Sequence, residues 1–304
     1  MRTTCIVDNY NYEAFLVEAV ESALRQTVPF DEIVIVDDGS TDGSRSIIEK
    51  HWASDPRVKV VFKENGGQLS AFNAGFEASS GDLVFFLDSD DIFHPDYLEK
   101  MISFYHAHPR CEFAFCGYQT FGRVNQRVVL HPGRADLGIT AIRVNESMAW
   151  LGGPTSTISM KKGLAHKILP YPHPDEWLSR ADDVLVFGAS LVGGHKFFNS
   201  DVLVRYRIHS ENAWYGKTFH PSIRLKRELA IKRLFAHFRS AMGYETSLGN
   251  LAYLEFSTIP APDYKLFKVY RRIVANGVPS LSTRVKYYSK LAVHLFSKKG
   301  RKID

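Results

Sequence analysis

The chain of 304 residues predicts an α/β fold built on a mostly parallel sheet with helices on both faces. Two observations carry this. Short apolar, β-rich runs alternate with segments of helical spacing through the first 120 residues. Each of the clearest runs then ends in a cluster of Asp, Asn, Ser or Gly, as at Asp8-Asn9, Asp37-Asp38-Gly39-Ser40 and Asp88-Ser89-Asp90-Asp91. Strands alternating with helices pair in parallel and bury both faces, so their sequences are continuously apolar.

In chain order, Thr3 to Val7 is a short strand. Phe15, Leu16, Ala19, Val20, Ala23 and Leu24 recur at helical spacing. Glu32 to Val36 is the second strand, and a helix is expected from about Asp42 to Trp52. Val58 to Phe62 is the third strand, followed by an Asn65-Gly66-Gly67 turn and a helix carrying Leu69, Phe72 and Phe76. Leu83 to Leu87 is the fourth strand, and Pro95 is expected in the first turn of the next helix. Phe113 to Cys116 reads as a fifth strand, and 119–145 as loops and short strands. A helix is expected over 175–192 and a strand from Asn199 to Ile208. Beyond Lys217 the chain is helical, broken by Gly243, Gly249, Pro260, Pro262, Gly277 and Pro279. Two regions are therefore expected, 1–215 and 216–304.

Composition narrows the function. Hydrophobic residues make up 45% of the chain, enough for a sizeable core, and no apolar run approaches the ~18 residues of a spanning helix. Cys5, Cys111 and Cys116 form no C-x-x-C pair, which argues against a disulfide framework or zinc site and for buried thiols in a reducing cytoplasm. The net charge of +5 conceals a division. Residues 1–215 hold 20 Lys+Arg against 28 Asp+Glu, whereas 216–304 hold 18 against 5. An acidic, metal-using part and a basic extension facing an anionic partner follow.

In open α/β sheets ligands sit outside the carboxyl ends of the strands, where the polar clusters fall. A strand delivering Asp88-x-Asp90 into a loop suits a hard divalent cation, Mg2+ or Mn2+, which shares carboxylates with diphosphate oxygens and water. Asp38 is placed to accept a hydrogen bond from a base or ribose, Tyr10 to stack on a base, and Gly66-Gly67 to admit a ligand close to the backbone. A nucleoside diphosphate with a metal ion accounts for all of these.

The order of motifs resembles the family 2 glycosyltransferases of the GT-A (Rossmann-like) fold. The elements are Cys5-Ile6-Val7-Asp8-Asn9-Tyr10-Asn11, Ile35-Val36-Asp37-Asp38-Gly39-Ser40-Thr41-Asp42, Asn65-Gly66-Gly67-Gln68 with Asn73-Ala74-Gly75, Leu87-Asp88-Ser89-Asp90-Asp91, Ala181-Asp182-Asp183 and Tyr206-Arg207-Ile208-His209. The resemblance covers roughly 1–215. It implies that Tyr10 and Asp38 hold the nucleobase with Asp8 contributing, that Gln68 and Ser89 touch the nucleotide, and that Asp88 serves ribose or metal. It further implies Asp90 as direct metal ligand, His209 completing the metal shell, and Asp183 as catalytic base with Asp182 the second choice. Two departures stand out: Asp8-Asn9 where the family usually has Pro-Thr, and Asp182-Asp183 where it has Glu-Asp. With no Q-x-x-R-W motif, a processive synthase is not expected.

The implied activity is inverting transfer of a sugar, from a UDP-sugar by preference, to a hydroxyl of a glycan or lipid-linked acceptor. The alternatives are a haloacid-dehalogenase-like phosphohydrolase with Asp88 as nucleophile, and a non-catalytic protein binding nucleic acid or membrane through its basic end. No recognisable nucleic-acid module is present, so nucleic acid is not an expected partner. Trp150, Trp177 and Trp214 are read as core residues before acceptor platforms, and Lys161-Lys162 as a solvated turn. Near the end, Leu281, Val285, Tyr288, Leu291, Ala292 and Leu295 share a helical face, with Arg284, Lys286, Lys290, Lys298 and Lys299 on or near the rest. Such a helix either lies on an anionic membrane or packs its apolar face on the catalytic domain; the expected location is cytoplasmic, with peripheral attachment to the inner membrane face in the first case.

Overall fold

The computed structural model describes residues 1–129, 135–210, 212, 217–244 and 247–297. One ten-stranded sheet organises it. Strands β1 (Thr3–Asn9), β2 (Glu32–Asp37), β3 (Val58–Phe62) and β4 (Leu83–Asp88) lie in the order β3-β2-β1-β4, all parallel. The sheet continues from β4 through β9 (Ile158–Lys161), β6 (Phe113–Gly122) and β10 (His195–Ile208) to β5 (Ile92–Phe93). The long β6–β10 pairing is parallel, and β9 is antiparallel to both of its neighbours. Two short strands, β7 (Arg127–Val128) and β8 (Ala135–Ile139), hang antiparallel on β6 and β10.

The continuous apolar runs are explained by burial on both faces. Cys5, Val7, Ile33, Ile35, Phe85 and Leu87 point to one side. There they pack on α1 (Glu13–Leu24), α2 (Ser44–His51) and α4 (Tyr97–Ala107) through Leu16, Ile48 and Met101. Ile6, Val84 and Phe86 point to the other side, onto Leu69 and Phe72 of α3 (Gln68–Ala78). The short α5 (Ala141–Ser147) and α6 (Lys162–Ala165) precede α7 (Asp182–Leu191), all ten residues of which are buried, against the same face as α3.

The basic region divides. Helix α8 (Pro221–Ala241) adds Ile231, Leu234, Phe235 and Phe238 to the core over α7. Helices α9 (Ala252–Phe256), α10 (Tyr264–Gly277) and α11 (Leu281–Phe296) build a separate cluster around Phe256, Tyr270, Ile273 and Leu291, which reaches Ile142 of α5. Glu255 locks that contact. Its carboxylate accepts the Ile142 and Arg143 amides at 2.5 and 2.8 Å and the Tyr270 hydroxyl at 2.7 Å, satisfying orphan donors at the start of α5. Among the described residues no helix is long and apolar enough to cross a membrane.

Several boundaries differ from the sequence reading. Strand β6 runs on to Gly122, six residues past Cys116, because its parallel pairing with β10 continues to Ile208, and the end of the segment read as loops and short strands is helix α5 (Ala141–Ser147). Pro95 precedes the helix, because Asp96 occupies the position before Tyr97. The helix expected over 175–192 starts at Asp182, and Pro174–Glu176 is a separate turn. Strand β10 starts at His195, four residues early, because β6 extends the pairing back to Phe113. Cys5, Cys111 and Cys116 are free and buried.

Candidate active site

The parallel strands bring their acidic ends together. Asp8 and Asp88 are register partners at the ends of β1 and β4, and Asn9 pairs with Asp37 on β2. Asn9 Nδ2 donates to Asp37 Oδ1 at 2.8 Å, so that pair ties strand to strand. Asp38, one residue on, is buried and engaged. It accepts the Gly66 and Gly67 amides, the latter at 2.7 Å, and pairs with Lys63 Nζ at 2.5 Å. Two glycines permit this. Gly39 takes φ +75°, where a Cβ would lie 2.7 Å from Asn65 N. Gly67 takes φ +86°, where a Cβ would lie 2.5 Å from Leu178 Cα.

Past β4, ligand atoms of Asp88, Asp90 and Asp91 lie within 4.8 Å of one another. Gln68 Nε2 donates to Asp88 Oδ1 at 2.9 Å, while its Oε1 accepts the Ala181 amide at 3.0 Å, linking α3 to the start of α7. Asp91 is held by the Ser156 hydroxyl at 2.7 Å and the Arg207 amide at 2.9 Å. His209 Nε2 lies 2.9 Å from Asp90 Oδ2, its ring set against Phe15 and Tyr12. Burial, and then the charges of Asp8, Asp91 and Asp90, hold the Asp88 carboxyl well above its ordinary range. Asp91 is raised by burial and by Asp90, and burial pushes Asp8 up to about 7. Asp8 Oδ1 and Ser89 Oγ are buried with no hydrogen-bond partner among the described residues. An all-oxygen set this crowded, with an orphaned carboxylate oxygen beside it, fits a hard divalent cation.

The start of α7 holds the second acidic pair. Arg180, at φ +64°, reaches Asp182 at 3.2 Å and Asp183 at 2.9 Å. Arg227, arriving from α8, holds the other oxygen of Asp183 at 2.6 Å. Asp183 is thus completely buried between two guanidinium groups. Asp182 instead lines the cavity, and burial pushes its carboxyl up to about 6 against the opposing pull of Arg180.

One cavity of about 390 Å³ gathers Asp8, Tyr10, Asp38, Gln68, Asp88, Ser89, Asp90 and Asp182. Asp183 does not line it; His209 reaches it through Asp90. Tyr10 stands at the surface, 45% exposed. The sequence reading assigned no role to Asp91, Arg180, Thr155, Leu178, Tyr206 or Arg227. Asp91 and Tyr206 sat inside quoted motifs, and Arg180 sits two residues before the acidic pair, but nothing local marked Thr155, Leu178 or Arg227. Trp177 is buried, as expected of a core residue, and Trp150 is partly exposed near the Arg180 guanidinium. Trp214, Lys298 and Lys299 lie outside the described residues. Lys161 and Lys162 donate to the Pro109 and Ser79 carbonyls.

Residues 4–153 match the profile of Glycosyl transferase family 2. The chain belongs to that family. An uncharacterised glycosyltransferase of Nostoc sp., alr2836, is 32% identical over 219 residues, which is 70% of this chain and 66% of that protein. TuaG of Bacillus subtilis, whose name proposes a glycosyltransferase of teichuronic acid biosynthesis, is 41% identical over 114 residues, 37% of this chain and 45% of that one. The chain thus spans two thirds or less of these two relatives' length. Staphylococcus aureus TarS 1–349, solved in complex with UDP-GlcNAc, superposes with a TM-score of 0.60 at 18% identity, covering 97% of this chain and 90% of that one. The family 2 chain therefore has the Rossmann-like GT-A fold, with its helical C-terminal region included in the match.

Proposed function

We propose that this family 2 glycosyltransferase moves a sugar, with inversion, from a nucleoside diphosphate sugar to a hydroxyl of a glycan or lipid-linked acceptor. The observation that carries the reading is the convergence of Asp8, Asp88 and Asp90 with Tyr10 and Asp38 in one cavity at the ends of parallel strands. TarS, of the same fold, was solved with UDP and with UDP-GlcNAc, which supports UDP as the nucleotide. The family membership sets aside the phosphohydrolase alternative.

In this reading Tyr10 stacks on the base, and Asp38 holds the Gly66-Gly67 turn against it. Gln68, Ser89 and the Asp8 end of β1 contact the nucleotide. Asp90 and Asp88 would hold Mn2+ or Mg2+, with His209 orienting Asp90 or completing the set. Bound there, the ion would supply Lewis-acid stabilisation of the departing diphosphate. The acceptor oxygen attacks the anomeric carbon as the bond to the diphosphate breaks on the opposite face. Asp182 receives the hydroxyl proton, supported by its place in the cavity and its raised carboxyl. Asp183, which the family pattern favours as base, is bound to two guanidinium groups in this conformation and serves as the anchor of Arg180. The division at 215 then separates donor binding and catalysis from an extension that supports α7 through α8 and meets an anionic membrane from the cytoplasmic side.

Thermal melts with UDP, dTDP, GDP and CDP, each with and without Mn2+, test this. A nucleotide at ~100 times its Kd adds about 2.7 kcal/mol, a rise of several degrees. The expected result is a Mn2+-dependent shift with UDP that Asp90→Ala abolishes. No shift with any nucleotide overturns the reading.

A further inference from the structure

Helices α10 and α11 carry a surface that the cavity does not use. From Tyr264 to Ser297 the chain has seven lysines and arginines and no carboxylate. Lys265, Lys268, Arg271, Arg272 and Lys286 are exposed, and none of the seven forms a salt bridge among the described residues. The apolar face expected of α11 is split. Tyr288, Leu291 and Leu295 pack into the cluster with α9 and α10. Leu281 and Val285 of that face, and Val293 and Phe296, which the expected face did not include, turn outward, 73, 56, 70 and 79% exposed.

At about 100° per residue, Leu281, Val285 and Phe296 form one stripe with Val293 at its edge. Tyr288 borders the stripe on one side and Lys286 on the other. Tyr288 also walls a groove with Lys268, Arg271 and Arg272 of α10. The apolar stripe therefore runs between cations on both sides. Proteins in water seldom leave such a patch uncovered. The occupant is indicated by charge: an interface that takes apolar side chains at its acyl boundary and presents anionic phosphates to the flanking lysines and arginines.

We propose that the α10–α11 face docks this protein on an anionic lipid bilayer, with α11 lying in the plane of the interface. This deepens the membrane contact proposed above by naming its surface. It rests on the two helices and not on the catalytic assignment.

The test is flotation of the full chain with phosphatidylglycerol–phosphatidylcholine vesicles, against pure phosphatidylcholine, at low and high salt. Binding is expected only to the anionic vesicles, weakening with salt. Val285→Ser/Phe296→Ser and Arg271→Glu/Arg272→Glu should each lower partitioning about tenfold or more. Lys50→Glu/Lys167→Glu, the same charge change on other elements, should lower it about threefold at most. No binding by the parent, equal binding to neutral vesicles, or equal loss in both charge variants overturns the proposal. So does binding of polyuridylate RNA without vesicle binding, lost in Arg271→Glu/Arg272→Glu, which gives the face to nucleic acid. Melts of every variant with UDP and Mn2+ run alongside, so that a failed donor site and a failed docking face are read separately.

Discussion

At the carboxyl ends of β1 and β4, Asp8 and Asp88 are half-buried beside the buried Asp91, and their carboxyls are driven upward by desolvation and by neighbouring carboxylates, Asp90 acting on all three. On α10 and α11 the lysines and arginines reach water, and the unusual exposure belongs to apolar side chains instead. In the proposed reading the two regions use charge for different ends. Holding one small cation that in turn binds a diphosphate requires acids to converge on a point, at a folding cost that a bound cation relieves. Meeting an extended anionic surface requires charges spread over a face, each solvated and individually dispensable.

The comparison is broken most directly at the acidic pair. Asp182→Asn should lower kcat about a thousandfold while the UDP melting shift persists. A larger loss in Asp183→Asn than in Asp182→Asn would transfer the base to Asp183 and make Arg227 a latch that must release it. The parent enzyme sharpens the same point. A base whose carboxyl sits at about 6 must be ionised, so kcat/KM should rise tenfold per pH unit up to about 6 and level above it. A plateau already established a full unit lower would place the base elsewhere.

Next in size is the joint between the regions. Glu255→Ala strands the Ile142 and Arg143 amides and the Tyr270 hydroxyl in a buried setting, and should cost about 3 kcal/mol in urea unfolding. A loss below about 1 kcal/mol would mean that the C-terminal helices are not held through this contact. Gly67→Ala forces a side chain onto a left-handed φ and into the Leu178 backbone. It should cost about 1–3 kcal/mol and raise the donor KM, read by melts and initial rates. Smallest of all, Arg271→Glu/Arg272→Glu should leave stability within about 0.5 kcal/mol and transfer to a water-soluble acceptor unchanged. A lost kcat there would erase the separation between the two regions.

Much of the sheet was legible because its signal is local. Ile33 to Val36 and Leu83 to Leu87 are apolar at every position, and a strand buried on both faces needs that pattern whatever surrounds it. The acids that follow them were legible for the same reason, since a parallel strand delivers its next residues to one edge. The start of β10 was harder to read, because its first residues are extended by the partner β6 rather than by their own pattern. Arg227 carried no signal at all, since a basic residue on a basic helix says nothing about a carboxylate on another element.

The chain's own order of residues thus specified the α/β class, the family and the strand ends at which the acids collect, because apolar periodicity and motif spacing are properties of neighbours in sequence. It left open which of two adjacent aspartates meets the cavity. That depends on the left-handed turn at Arg180 and on the Arg227 guanidinium, 44 residues beyond Asp183, which closes over Asp183 once α8 packs on α7. It also left open which half of α11's apolar face stays uncovered. A helix of that composition offers more apolar surface than α9 and α10 can bury, and packing against them selects the part that faces outward.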